Sequence, residues 1–165
     1  MFKSLFLPII GVMAFITITG LMYQGKLDFL TDKVSNQIQN QDKKIKIGQT
    51  EIVVDVAKSN EERARGLSNV ESLDKNKGML FVFDGNSRPV FWMKDTKIAL
   101  DIIWIEDDKI VSIDKNVQPE PNTPDNKLKR YYAPTNVDYV LEVNAGFSEE
   151  NDIKVGQSLS GLEQL

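Results

Sequence analysis

The chain of 165 residues contains neither cysteine nor histidine. Without cysteine there is no disulfide framework, no thiol nucleophile, no thiolate metal site and no lipoprotein attachment. Without histidine there is no Ser-His-Asp relay and no imidazole general base. Any reaction must therefore use Asp, Glu, Lys, Arg, Tyr, Ser or Thr, and a protein-bound metal would need oxygen ligands, as Mg²⁺ or Ca²⁺ accept. A basic excess is also lacking: 20 Lys and Arg against 24 Asp and Glu leave a charge of −4, which argues against a nucleic-acid partner. The isolated glycines Gly85, Gly146 and Gly156 form no phosphate-binding string and read as turn residues. No internal repeat, low-complexity tract or EF-hand spacing occurs, so no metal or cofactor is expected.

What is present begins with an apolar run. Residues 1–23, MFKSLFLPIIGVMAFITITGLMY, carry Lys3 as their single charged side chain. From Leu5 to Tyr23 a helix would extend about 28 Å, close to a bilayer core. This segment is expected to anchor the chain in the membrane through residues 5–23, with a cleaved signal sequence as the alternative. Lys3 favours a cytoplasmic amino terminus, opposed in part by Lys26 and Lys33. The rest of the chain is then expected outside the cytoplasm, or secreted if residues 1–23 are removed. Residues 24–43 are polar, with Leu30, Val34 and Ile38 at helical spacing. They read as a stalk or linker, or as a short coiled-coil contact.

The pattern changes near Lys44, and residues 44–165 read as one globular, β-rich domain. KIKI (44–47) and EIVVDVA (51–57) form a hairpin about Gly48. Ser59 and Glu62 have capping-box spacing and open a short helix ending at Gly66. GMLFVF (78–83) is apolar on both parities and predicts a strand covered on both faces. VFWMK (90–94) predicts a strand, LDIIWI (100–105) and KIVSI (109–113) a hairpin, and DYVLEV (138–143) a cleanly alternating strand. QPEPNTPDNKLKR (118–130) is a surface loop with three prolines. A helical turn about Ser148–Asn151 precedes a last strand, IKVGQSL. The expected fold is mainly β (α+β), a compact barrel-like or sandwich domain of about seven short strands with one or two short helices, preceded by a single transmembrane helix.

The strings EERARGL (61–67), GMLFVF, FWMKDT (91–96), LDIIWI and YVLEVNAG (139–146) resemble, in order and spacing, the domain of unknown function 192 family over roughly residues 50–160. The family usually has Asn at the position of Asp95 and Pro at that of Ala99. The resemblance implies a small β-rich domain and no particular reaction, substrate or cofactor.

Six residues are candidates for a site. Strand parity puts Trp92 and Lys94 on one face, where an aromatic plane beside a cation suits a sugar or an anion; the alternative is a core Trp92 with Lys94 reaching out from the strand end. Asp101 lies on an apolar face and needs a partner, with Lys94 or Arg65 expected, or else it caps the amides of a loop. Arg65 ends the short helix and could reach such a carboxylate or an anionic ligand, or stay at the surface. Glu142 and Asn144 share the face opposite Tyr139, Leu141 and Val143. That face is either solvated or the interior of a groove, where Glu142, Asn144 and Asp101 would offer oxygens to a ligand or a divalent ion.

The expected function is a non-enzymatic binding module for a small polar or carbohydrate-like ligand or a partner protein. Its groove would be formed by Arg65, Trp92, Lys94, Asp101, Glu142 and Asn144. The alternatives are a hydrolase or lyase using Asp101 or Glu142 as acid and base with Lys94 or Arg65 stabilising charge, and an assembly factor acting through the stalk and the proline-containing loop.

Overall fold

A computed structural model describes residues 43–165; the expected anchor at 1–23 and the stalk, but for Lys43, lie outside them. Nine strands run through the described chain: β1 (Lys43–Ile47), β2 (Thr50–Ala57), β3 (Lys77–Ser87), β4 (Val90–Phe91), β5 (Leu100–Glu106), β6 (Lys109–Val117), β7 (Tyr131–Tyr132), β8 (Val137–Asn144) and β9 (Leu159–Ser160). Helix α1 (Asn60–Arg65) connects β2 to β3, and α2 (Phe147–Glu150) follows β8. Seven strands form a curled half-barrel sheet in the order β6-β5-β8-β3-β2-β1-β9, and β4 pairs with β7 as a separate ribbon. Only β2 and β3 are parallel, because α1 carries the chain back across the sheet between them; the other pairs are antiparallel.

The barrel-like expectation has a concrete basis. The Ile110 amide donates to the Gln157 carbonyl at 3.0 Å, Gly156 to Ile110 at 2.8 Å and Leu159 to Asp108 at 2.7 Å. Residues 156–160, which include β9 at one end of the sheet and pair with β1, therefore also meet the start of β6 at the other end. The expected last strand is a correction: only Leu159, with Ser160, belongs to β9, and the residues before it turn.

Each central strand is covered on both faces, and the two faces build separate cores. The inner core takes Ile45, Ile47, Ile52, Leu80, Ile103, Ile105, Ile110, Leu141, Val143 and Leu159, with Phe147 of α2 closing one end. The outer core takes Met79, Phe81, Leu100, Ile102, Trp104 and Val140, covered by Leu67 after α1, by Met93 and by Tyr131 of β7. This explains GMLFVF: Leu80 enters one core while Met79 and Phe81 enter the other. Gly78 permits that strand to lie against β8. A Cβ there would sit 2.7 Å from the Glu142 carbonyl oxygen and 2.9 Å from Val143.

Helix α1 begins where Ser59 and Glu62 place it. The Glu62 amide donates to Ser59 Oγ at 3.2 Å, and the Ser59 amide donates to the Glu62 carboxylate at 2.8 Å, completing the capping box. Gly66 ends the helix at a φ of 48°. The predicted strand VFWMK needs correction: only Val90 and Phe91 pair, with Tyr132 and Tyr131. The chain leaves the ribbon after Phe91, where β7 ends, and turns at Asp95, which sits in the left-handed region at φ 54°. Asn and Asp both tolerate that region, which accounts for either residue at this position.

Candidate functional site

The outer face of β3 and β8, the α1 turn and the segment 89–96 enclose a cavity of about 250 Å³. Phe81 and Phe83 from β3, Leu67 after α1, and Phe91 from β4 give it apolar walls. The aromatic walls are fixed by edge-to-face contacts: Phe91 meets Phe81 at 4.9 Å, Phe83 at 6.4 Å and Trp104 at 5.5 Å. Trp104 is itself held by its indole N–H donating to Asp114 at 2.7 Å.

The polar lining is asymmetric. Arg63, Arg65 and Lys94 are the cations, and Glu142 is the acid. Arg63 serves the scaffold: it donates to the carbonyls of Lys58 (2.6 Å) and Val82 (2.7 Å) and to Asn60 Oδ1 (2.6 Å), and lies over the Phe83 ring. Lys94 pairs with Asp125 at 2.7 Å. That hydrogen bond raises the ammonium above its ordinary pKa and lowers the Asp125 carboxyl below its own. Arg65 is exposed; among the described residues no hydrogen bond or close ion pair reaches its guanidinium, whose charge helps to lower the pKa of Glu62 on the same helix.

Glu142 is 5% exposed and lies level with Met79 of β3 and Ile102 of β5. Among the described residues no hydrogen bond or ion pair reaches its carboxyl, and burial alone pushes its pKa up to about 8. The expectation that this alternating face is solvated is thus corrected. Strand β8 lies between β3 and β5, and its outer face is roofed by α1 and the segment 89–96.

Of the six candidate residues, four surround this cavity: Arg65, Trp92, Lys94 and Glu142. Asp101 does not. It is fully buried and level with Val143, on the inner face of the sheet and therefore opposite Glu142. Its carboxylate accepts from the amides of Asn116 (2.9 Å), Gly146 (3.2 Å) and Ser148 (2.9 Å). Lys94 and Arg65 are not its partners, and its role is to fix the turn leading into α2. Asn144 also lies away from the cavity, where its side-chain amide donates to the carbonyls of Leu73 (3.0 Å) and Asp74 (3.2 Å). The oxygen triad Glu142, Asn144 and Asp101 is therefore not assembled. Among the described residues no group of three Asp and Glu side chains is placed to hold a metal ion.

Trp92 is not a core residue. It is 46% exposed, and the Arg130 guanidinium lies 4.2 Å above its ring. Arg130 also donates to the Asp125 carbonyl at 3.0 Å, and Asp125 in turn holds Lys94. The loop 118–130 is thus tied to the rim of the cavity, with Leu128 buried beneath it and the Glu120 amide donating to Met93 at 3.3 Å. Sequence reasoning missed Phe83, Phe91, Arg130 and Asp125. The cluster KLKRYY (127–132) was the available signal, but its partner Trp92 is far away in the chain.

The model of the DUF192 family (Uncharacterized ACR) matches residues 43–161. Among solved structures, the chain is similar to a protein of unknown function from Novosphingobium aromaticivorans, with 26% identity, a TM-score of 0.64 and coverage of 71% of this chain and 83% of that one. It is also similar to a Sinorhizobium meliloti protein described as a candidate transcription regulator, with 27% identity, a TM-score of 0.63 and coverage of 72% and 92%. No curated protein matches the chain.

Proposed function

The chain belongs to the DUF192 family, and we propose that its β-rich domain is a binding module for a small polar ligand held in the Glu142 cavity. One observation carries the reading: a carboxyl buried among apolar side chains, with no described partner, opens on a cavity with Arg65 and Lys94 in its wall. Leaving such a group unpartnered is costly for the fold, and a ligand that completes its hydrogen bonding offsets that cost. The volume, about 250 Å³, lies just under the range of about 300–1,000 Å³ typical of drug-sized ligands, so the occupant is small. Trp92 at the rim, stiffened by Arg130, supplies a flat apolar surface.

A thermal-shift screen of the full chain against sugars, amino acids, organic anions and amines tests this. A ligand at 100 times its Kd should add about 2.7 kcal/mol, a shift of several degrees. The shift should vanish in Trp92→Ala and Lys94→Ala variants that still unfold cooperatively. Binding that survives both substitutions would remove the cavity from consideration.

Acid–base catalysis is the second reading, favoured by the same residue: a carboxyl that burial keeps protonated at neutral pH, in the wall of a cavity that also carries cations, suits a general acid. Asp101 lies on the other face of the sheet, so any second catalytic group would be Lys94 or Arg65. Turnover of a bound ligand that Glu142→Gln abolishes without weakening binding would favour it. We further propose that the apolar run at 5–23 anchors the chain and holds the domain outside the cytoplasm; retention in the membrane pellet after carbonate extraction, with the domain accessible to external protease, is the expected result.

A further inference from the structure

We propose that the cavity takes a small organic carboxylate, held between the Glu142 carboxyl and the Arg65 guanidinium that line it. This rests on the cavity reading above and gives it a ligand class. The charged groups facing Glu142 decide between an anionic and a cationic occupant. Helix α1 contributes Arg63 and Arg65, and the segment after β4 contributes Lys94. Strand β3 contributes only Phe81 and Phe83, and the β5 neighbour of Glu142 is Ile102. Even with Lys94 paired to Asp125 and Arg65 near Glu62, the cavity wall itself carries three cations and one acid, which disfavours an ammonium ligand and favours an anion.

None of the three cations neutralises Glu142. Arg63 is spent on carbonyls and Lys94 on Asp125. The acid thus stays neutral at pH 7, since its pKa is pushed up to about 8, and a neutral acid has an O–H to donate. A carboxylate uses both features: one oxygen accepts from Glu142 in a short charge-assisted bond, and the other accepts from the guanidinium. Arg65 suits the second role because, among the described residues, it makes no hydrogen bond and meets Glu62 only through a longer-range attraction. The phenylalanine walls then take an apolar body of modest size.

The test uses the full chain in mild detergent, titrated calorimetrically with benzoate, phenylacetate and isobutyrate, with benzyl alcohol and benzylamine as uncharged and cationic counterparts, from pH 6 to pH 9. The expected result is binding of at least one carboxylate, weakening about tenfold between pH 7 and pH 9 as Glu142 loses its proton. Glu142→Gln, which keeps a donor and cannot ionise, should bind the same carboxylate with a flat pH profile. Arg65→Ala, at an exposed position, should weaken it about tenfold or more. Binding of benzylamine that tightens with rising pH would overturn the proposal and leave the cavity reading standing, as would binding of benzyl alcohol alone. Carboxylate binding with the same pH profile in wild type and Glu142→Gln would also overturn it. If no probe bound at any pH, the carboxylate proposal would fall, while the cavity reading would stand or fall by the broader thermal-shift screen.

Discussion

The Glu142 carboxyl makes a prediction about stability that needs no ligand. In the folded domain burial moves its pKa from 4.5 to about 8. Below pH 4.5 both the folded and the unfolded chain carry the proton, and the group contributes no pH dependence. Between pH 4.5 and about 8 the folded state keeps a proton that the unfolded chain has released, so raising the pH favours unfolding. Each unit is worth about 1.4 kcal/mol, and the whole window roughly 5 kcal/mol. Above pH 8 both states are ionised and the loss is complete.

Glu142→Gln removes this linkage while keeping the shape of the side chain. Urea unfolding of the full chain, followed by the fluorescence of Trp92 and Trp104, gives the difference between wild type and variant at each pH. The variant should gain roughly 3–4 kcal/mol on wild type between pH 5 and pH 8.5. The exposed carboxyls Glu51, Glu71 and Asp125 and the half-buried Glu62 have lowered pKa values through lysine partners or backbone amides. They act oppositely, stabilising the fold above their unfolded pKa and losing that stabilisation as the pH falls, and they cancel in the difference. Profiles that stay parallel to within about 1 kcal/mol across this range would refute the buried, unpartnered state of Glu142.

Three further outcomes follow from the packing. Asp101→Ala leaves three backbone amides without an acceptor and should cost about 3–5 kcal/mol in urea unfolding, with Asp101→Asn losing about half as much; a cost below about 1 kcal/mol would deny it a structural role. Gly78→Ala forces a Cβ to within 2.7 Å of the Glu142 carbonyl oxygen and should lower stability by about 1–3 kcal/mol through displacement of β3 from β8. Asp125→Ala breaks an ion pair whose two side chains are 40% and 70% exposed, so the stability change should stay within about 1 kcal/mol, while salt should affect the wild type more than the variant.

Much of the fold was legible because its signals are local. The capping box at Ser59 and Glu62, the left-handed stop at Gly66 and the hairpin at Asp107-Asp108 each depend on a few adjacent residues, and all three appear where the sequence puts them. The two-sided apolar pattern of GMLFVF correctly announced a strand covered on both faces. Misreadings arose where position in the sheet overrode local pattern. DYVLEV alternates like a half-solvated strand, yet β8 pairs with β3 and β5 and is roofed by α1 and residues 89–96, so its polar parity is buried. VFWMK has strand composition throughout, but pairing ends at Phe91 because the partner β7 is two residues long. The site was half legible for the same reason. Trp92 and Lys94 stand close together in sequence, whereas the Asp125 and Arg130 that hold them come from the proline-containing loop.

Two buried acids on adjacent strands differ in what the fold gives them. Asp101 and Glu142 are both hidden from solvent, one on each face of the same sheet. Asp101 is answered by three amides that the chain presents at the turn into α2 and at β6. The fold explains it completely: the acid organises backbone that would otherwise lack an acceptor. Glu142 receives no such answer. Its neighbours across the sheet are Met79 and Ile102, and an apolar side chain at this position would extend the outer core at no desolvation cost. A residue that opposes the local rule without structural compensation marks the place where the sequence serves something other than folding. Here it stands in a cavity wall that also carries Arg65, which makes no hydrogen bond among the described residues, and a rim tryptophan with Arg130 over its ring. Glu142→Leu should therefore yield a more stable domain at pH 8 and one that no longer binds its ligand. If stability fell instead, by about 1 kcal/mol or more, the acid would have to be reassigned to the scaffold alongside Asp101.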